Sequence, residues 1–504
     1  MAVKTGEVRD VESLNKPDDS AHNAYNATTL KDADNLDEDG HIKRTGSWIT
    51  ATAHIVTAVI GSGVLSLAWA IAQMGWVAGP VILFLFAAVT WYMSLLLADA
   101  YRNPRDTGKR NYTYPGAVSA ILGGSSGMSG YVWFCGIIQY LNLVGTGIGY
   151  TVTAGLSMTA VRRSNCFHAN QAQLNANGGE SAGDSLCHVS NNPFMLIFGA
   201  FQILLSQIPD FDRLWFLSIV AAVMSFSYSS IGLGLAIGKT TESGHSTGSA
   251  AGATASMADK TWNVLNGLGS MAFAYSFSFV LVEIQDTIRK PKTGSEAGQM
   301  KKATTLAIFI TTGFYMAVGT MGYGAFGDEA PTNLLTGFGF FNPYWLIDIA
   351  NVFIMVHLVG AYQVFTQPWY AFVETTVYRY CPKNFFTHKE FVIRIPGLGA
   401  LRLTLFRLIW RTLYVCFTTV IAMLVPFFND VVGLLGALGF WPLTVFLPIQ
   451  MHLKQAGVPR FGLKWCILQC VSFICLLVSL GAAVGSIAQI VLDTEDYTPF
   501  VTNY

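Results

Sequence analysis

Charge is what this chain has least of. Only 12% of its 504 residues are Asp, Glu, Lys or Arg, against roughly 25% in a soluble globular chain. The 30 basic and 30 acidic residues cancel, so there is no basic surplus to hold nucleic acid, and none is expected as a partner. No Gly-rich loop ending in Gly-Lys-Ser/Thr is present, so nothing reads as an energy-coupling ATPase. No clustered nucleophile and base, and no metal triad, marks an enzyme. His168 and His188 do accompany Cys166 and Cys187, but a disulfide is the simpler account. Neither a metal nor an organic cofactor is expected. A cleavable signal peptide is also missing. Residues 1–42 are polar, with Asp32, Asp34, Asp37, Glu38 and Asp39, and read as a disordered acidic tail.

What is abundant is apolar sequence: 52% of the residues, gathered in long blocks. Crossing a bilayer takes about 20 such residues in a helix. Blocks of that kind fall at about 48–70, 75–99, 130–160, 194–209, 213–238, 262–284, 303–325, 344–376, 406–426, 430–452 and 464–491. They predict an all-α integral membrane protein of eleven spans, with residues 492–504 as a short tail. Span 8 contains Pro368 and is expected to kink or to project past the bilayer.

Lys and Arg sort by side. Every second loop is rich, and 26 of the 30 basic residues fall on the side of the N-terminal tail. Positive loops stay cytosolic, so the N-terminus is predicted inside and the C-terminus outside. Cys166 and Cys187 then lie in an outer loop, where a disulfide can persist; the alternative is two unrelated thiols. The other six cysteines read as buried or reduced. The Asn26 and Asn111 sequons fall on the cytosolic side, where they would go unused.

Two spans carry interruptions. Span 1 has Gly61-Ser62-Gly63 at its middle, and span 6 has a run of small and hydroxylated residues through Tyr275 and Ser276. An interrupted helix survives in a bilayer only where it lines a cavity, but small residues also serve close helix packing; spacing alone leaves both open. The two spans would open the halves of a five-plus-five inverted repeat, about 48–238 and 262–452. Paired broken helices in corresponding positions point to a midplane site in a secondary transporter.

The stretch Arg44-Thr45-Gly46-Ser47-Trp48, then Gly61-Ser62-Gly63-Val64-Leu65-Ser66-Leu67-Ala68-Trp69-Ala70 and Gln73-Met74-Gly75-Trp76, resembles the plant amino acid permeases of the amino acid/auxin permease family. Asn111-Tyr112-Thr113-Tyr114, Gln139-Tyr140-Leu141-Asn142-Leu143, Glu283-Ile284-Gln285-Asp286-Thr287 and Gln367-Pro368 match as well. The resemblance runs from about residue 44 to the C-terminus. It implies a proton-coupled plasma-membrane importer of amino acids with broad selectivity, on the leucine-transporter fold, with an extra helix at 464–491. It also implies that spans 1, 2, 6 and 7 rock against 3, 4, 8 and 9. Rival readings are an auxin or 4-aminobutyrate importer on the same scaffold, or an amino-acid sensor that moves little substrate.

Candidate residues follow. Amides around Ile60, Gly61, Ser62, Gly63 and Val64 would meet the substrate carboxylate. Tyr275, Ser276 and Phe277 would surround the substrate, with Asn142 on span 3. The proton-coupling candidates are His54, His357 and Glu283. A histidine titrates near neutral pH, and intramembrane ionisable residues are functional candidates by default; a lone neutral histidine bonded to a neighbouring helix is the plain alternative. The two histidines resemble the family's span 1 and span 8 histidines. Asp286 is expected to pair with Arg289 or Lys290, and Asp99, Asp348 and Glu374 to be hydrated at span ends.

Overall fold

Span 1 does not form one helix. In the computed structural model it starts as α1 (Trp48–Val59), with Ser47 and Thr50 making a reciprocal capping box that satisfies two first-turn donors. The helix stops at Ile60, Gly61 is extended, and a 3₁₀ turn (Ser62–Ser66) leads into α2 (Leu67–Asp99). Residues 71–74, read as the linker to span 2, are helical. The chain reverses instead at Gly75, whose φ of 82° suits glycine alone, and a Cβ there would lie 2.3 Å from the Ala250 carbonyl. The structure describes residues 44–102, 109–124, 129–170, 187–208, 215–254, 256–291, 293–339, 341–381, 385–395, 399–495, 497–498 and 500. The predicted tail 1–42 and the Asn26 sequon lie outside these. The chain divides into Met1–Thr45 and Gly46–Tyr504, and the second unit holds every span.

A short helix follows that hydropathy does not announce: α3 (Tyr114–Leu122), capped by Thr113 and opened by a proline in its first turn. Next come α4 (Gly130–Ala169), α5 (Asn192–Ser206) and α6 (Trp215–Ser243). α4 continues well past the predicted end of span 3 and reaches Cys166, which is disulfide-bonded to Cys187 with Cα atoms 5.7 Å apart. Span 6 is broken like span 1: α7 (Met257–Ala274), an irregular stretch at Tyr275–Phe277, a 3₁₀ turn (Ser278–Val280) and α8 (Leu281–Asp286). Then follow α9 (Glu296–Phe326), α10 (Tyr344–Tyr380) and the short α11 (Phe385–His388). α10 passes through Pro368 as one helix, so span 8 is long rather than broken.

An antiparallel hairpin, β1 (Glu390–Ile395) and β2 (Gly399–Thr404), pairs Glu390 with Thr404. It lies in a loop between spans, so only the spans themselves are all-α. α12 (Leu405–Leu424) follows. Span 10, read as one helix, has three parts: α13 (Phe428–Gly439), a π segment (Phe440–Phe446) and α14 (Leu447–Gln455). Pro442 supplies a reason, since it has no N–H for the preceding turn and crowds it. α15 (Leu463–Glu495) takes in the start of the expected tail. Among the described residues nine helical stretches suffice to cross a membrane, and α1 and α5 are shorter apolar helices. Dividing Ser62–Asp99 at Gly75, joining α1 to its first part and adding α5 gives the eleven crossings.

Small residues set the closest approach. Cβ atoms at Gly269 on α7 and Gly433 on α13 would sit 2.3 Å from the Gly433 carbonyl and 2.0 Å from the Asn266 side chain, respectively, so two backbones touch where lipid offers no hydrophobic drive for bulkier contacts. One polar expectation changes. Glu374 is buried and binds Arg411 at 2.6 Å and Arg407 at 2.9 Å, with Arg411 also donating to the Ser206 carbonyl. Asp286 accepts from the Tyr101 hydroxyl at 2.6 Å. Asn111 is buried and donates its side-chain amide to the Ala100 carbonyl, so it is no glycan acceptor.

Candidate functional site

The two breaks face each other. Of the first amides in the 3₁₀ turn, that of Val64 reaches the Gly61 carbonyl at 3.3 Å. Those of Ser62 and Gly63 have no carbonyl partner among the described residues, the unsatisfied donors expected where a helix begins. Across from them, α1 and α7 end with carbonyls at Val59 and Ala274. A small cavity lies between, with about 20 Å³ open to the centre of a water molecule, enough for roughly one water. Val59, Gly61, Ser62 and Gly63 form one wall; Phe273, Ala274, Ser276 and Phe279 form another. Ala58 of α1, Thr146 and Tyr150 of α4 and Phe365 of α10 complete it. The arrangement offers donors for an anionic group, carbonyls for a cationic one, and an aromatic wall. Phe365 meets Tyr150 and Phe279 edge-on at centroid distances of 5.6 and 5.8 Å. No Asp, Glu, Lys or Arg is among these lining residues.

Tyr315 of α9 ties both breaks together. Its buried hydroxyl donates to the Val59 carbonyl and lies 3.1 Å from the Ala274 carbonyl. Val59 also accepts from the Gly61 amide at 2.9 Å. The exposed ends of α1 and α7 are thereby held by one phenol from span 7, and sequence reading did not single it out.

Of the predicted residues, Gly61, Ser62, Gly63 and Ser276 line the cavity. Ile60 and Val64 flank it, both fully buried. Tyr275 is turned away and donates to the Thr312 hydroxyl at 3.2 Å; Phe277 is buried in the core. Asn142 is a correction: its side-chain amide donates to the Leu435 carbonyl at 2.9 Å, one turn before the π segment of span 10. Thr146 and Tyr150 continue the same face of α4 at four-residue steps, so Asn142 marks the helix face whose next two turns line the cavity.

His357 comes to the site. It is buried, its Nδ1 lies 2.8 Å from the Ala221 carbonyl on α6, and its Nε2 has no partner among the described residues. That Nε2 lies 3.9 Å from where a Cβ on Gly61 would be. The bond to Ala221 places a proton on Nδ1 and leaves Nε2 able to accept one. His54, by contrast, is exposed on the flank of α1. Glu283 lies away from the cavity, and its Oε1 accepts from the Tyr114 amide at 3.1 Å, at the positive end of α3. Its Oε2 is buried with no partner among the described residues.

The two ends of the bundle differ. At the basic end Gly46 pairs with the segment after α8: its amide donates to Thr287 at 3.0 Å and its carbonyl accepts from Arg289 at 2.8 Å. Glu296, at the start of α9, binds Arg102 at 2.6 Å. At the disulfide end a cavity of about 590 Å³ lies among α4, α6, α13, α15 and the segment before α10.

The family of transmembrane amino acid transporter proteins matches residues 44–492. Amino acid permease 2 of Arabidopsis thaliana is 55% identical over 93% of this chain and 92% of its own length. Amino acid permease 3 of the same plant is 55% identical over 93% and 96%, and lysine histidine transporter-like 1 is 30% identical over 91% of each. The crystal structure of MhsT in complex with L-phenylalanine superposes with a TM-score of 0.53 at 10% identity, covering 88% of this chain and all of that one; this likeness concerns the fold. The chain belongs to the transmembrane amino acid transporter family, whose members are transporters rather than enzymes.

Proposed function

We propose that the chain is a proton-coupled symporter that imports a broad range of amino acids across the plasma membrane by alternating access. The observation that carries this reading is the pair of facing breaks. The amides of Ser62 and Gly63 suit an α-carboxylate, and the carbonyls of Val59 and Ala274 suit an α-ammonium. The aromatic wall of Phe273, Phe279, Phe365 and Tyr150 suits side chains of differing size and no charge.

Backbone closure at Gly46 and an open cavity at the disulfide end fit an outward-facing state, with the N-terminus inside and the C-terminus outside. In that state the unpartnered Nε2 of His357, beside Gly61, would take the coupled proton. Glu283, with a buried and unpartnered Oε2, is the second candidate for it. His54 on the flank of α1 is the third.

The test is uptake of a panel of labelled amino acids in a transport-deficient yeast at two external pH values. Uptake of many amino acids, faster at the lower pH, is expected. Uptake confined to auxin or 4-aminobutyrate, or indifferent to pH, would replace the reading. Substrate-evoked currents would exclude a pure sensor.

A further inference from the structure

The segment between α10 and α12 carries a surface that the spans do not explain. Tyr380 ends α10, and Phe385, Phe386, Phe391 and Val392 follow on α11 and β1. Each of these five side chains is 44–79% exposed. On the spans, exposed apolar side chains meet lipid tails, but this segment lies past the last turn of span 8. The aromatic part is contiguous. Ring centroids of Phe385 and Phe386 are 6.2 Å apart, and the exposed Lys389 places its Nζ 4.8 Å from the Phe385 ring and 5.7 Å from the Phe391 ring. An exposed apolar patch with a polar rim marks an interaction surface.

Charge indicates what covers it. Residues 379–404 contain five basic residues (Arg379, Lys383, Lys389, Arg394 and Arg402) against one acid, Glu390. Aromatic rings interleaved with Lys and Arg suit the boundary of a bilayer, with rings at the tail level and cations among the head groups. The cytoplasmic leaflet is the negative one, and it attracts basic segments next to a span.

The chain holds the segment at that level. Thr404 is both the last residue of β2 and the N-cap of α12, and its hydroxyl lies 3.0 Å from the Tyr378 hydroxyl of α10. Thr387 of α11 is buried and donates to the Cys381 carbonyl at 3.0 Å. Both ends are thus fastened where spans 8 and 9 meet the basic side. Strands of six residues extend about 20 Å at most, so the hairpin stays close to the head groups.

We propose that Phe385, Phe386, Lys389 and Phe391 form a docking surface for an anionic lipid leaflet, which fastens the basic ends of spans 8 and 9 to the membrane. The proposal uses the inside placement of the basic loops and is independent of what the central cavity binds.

The experiment is hydrogen-exchange mass spectrometry on the purified full-length chain in phosphatidylcholine nanodiscs, with and without phosphatidylserine. Amides of α11, β1 and β2 are expected to exchange about tenfold more slowly when phosphatidylserine is present. The difference should vanish in about 1 M salt, where the screening length falls to about 3 Å. Lys389→Glu, and Phe385→Ser combined with Phe391→Ser, should each abolish it. These positions are exposed, and unchanged exchange in α12 shows that the variants are folded. Equal exchange in the two lipids, or a slowing that both variants keep, overturns the proposal. Slowing that requires a cytosolic protein extract and occurs in either lipid overturns it in favour of a protein partner. Uptake enters none of these results, so the transport reading stands or falls separately.

Discussion

The Tyr315 hydroxyl lies 3.1 Å from the Ala274 carbonyl, at the point where α7 ends. The same oxygen donates to Val59, where α1 ends, so one side chain holds the broken ends of both halves of the transporter. Tyr315→Phe removes this donor and leaves buried carbonyls short of a partner. The cost is about 1–3 kcal/mol, which corresponds to roughly a five- to hundredfold loss in kcat/KM when it falls on the transport step. Uptake kinetics with surface expression measured in parallel should show this. Unchanged kinetics would mean that the two carbonyls take no part in binding.

Gly61 and Gly63 both belong to the break, but their surroundings differ. A Cβ on Gly63 would lie 3.1 Å from Ala274 Cα and 3.2 Å from the Phe273 ring, whereas one on Gly61 meets only His357 Nε2, at 3.9 Å. Gly63→Leu is therefore expected to abolish uptake with insertion intact, and Gly61→Ala to retain it. Equal losses for both, in matched surface-expression assays, would count against a site built on this spacing.

The breaks in spans 1 and 6 were legible because small polar residues interrupt apolar runs there, and charge sorting placed Cys166 and Cys187 in one loop. The rest of the cavity was hidden by geometry. Tyr315 and Phe365 look like ordinary aromatic residues in apolar helices, and only the packing of α9 and α10 brings them to the breaks. The irregular stretch in span 6 resets the helical phase, so Tyr275 and Phe277 point away while Phe273 and Phe279 line the cavity. Asn142 drew notice as a polar residue in a span, although Thr146 and Tyr150 on the same face do the lining. The polar bonds of Glu374 and Asp286 depend on neighbours from other spans, which no local pattern predicts. Hydropathy likewise says nothing of α3 or the hairpin, which lie outside the long apolar blocks.

His357 carries an open Nε2 beside the span 1 break. Its protonation there would add a positive charge near Gly61, so wild-type uptake should rise as external pH falls. His357→Gln keeps a polar side chain but cannot gain that charge. The variant is expected to transport with much weaker dependence on external pH. A pH profile of initial uptake rates is the measurement, and a profile parallel to wild type would move the coupling role to Glu283 or His54.

Gly46 makes the backbone clip between the start of span 1 and the end of span 6. A Cβ on it would lie 2.5 Å from the Thr287 carbonyl, so Gly46→Val must push the two strands apart and lose both hydrogen bonds. Each bond contributes about 0.5–1.5 kcal/mol net, which would shift the balance between outward- and inward-facing states by roughly five- to hundredfold. Membrane insertion should survive, because the clip lies outside the apolar core of the spans. The expected result is a raised proton current without substrate in voltage-clamped oocytes, together with reduced accumulation of labelled amino acid. A variant with a wild-type leak and wild-type accumulation would show that closure at the basic end does not depend on this backbone contact.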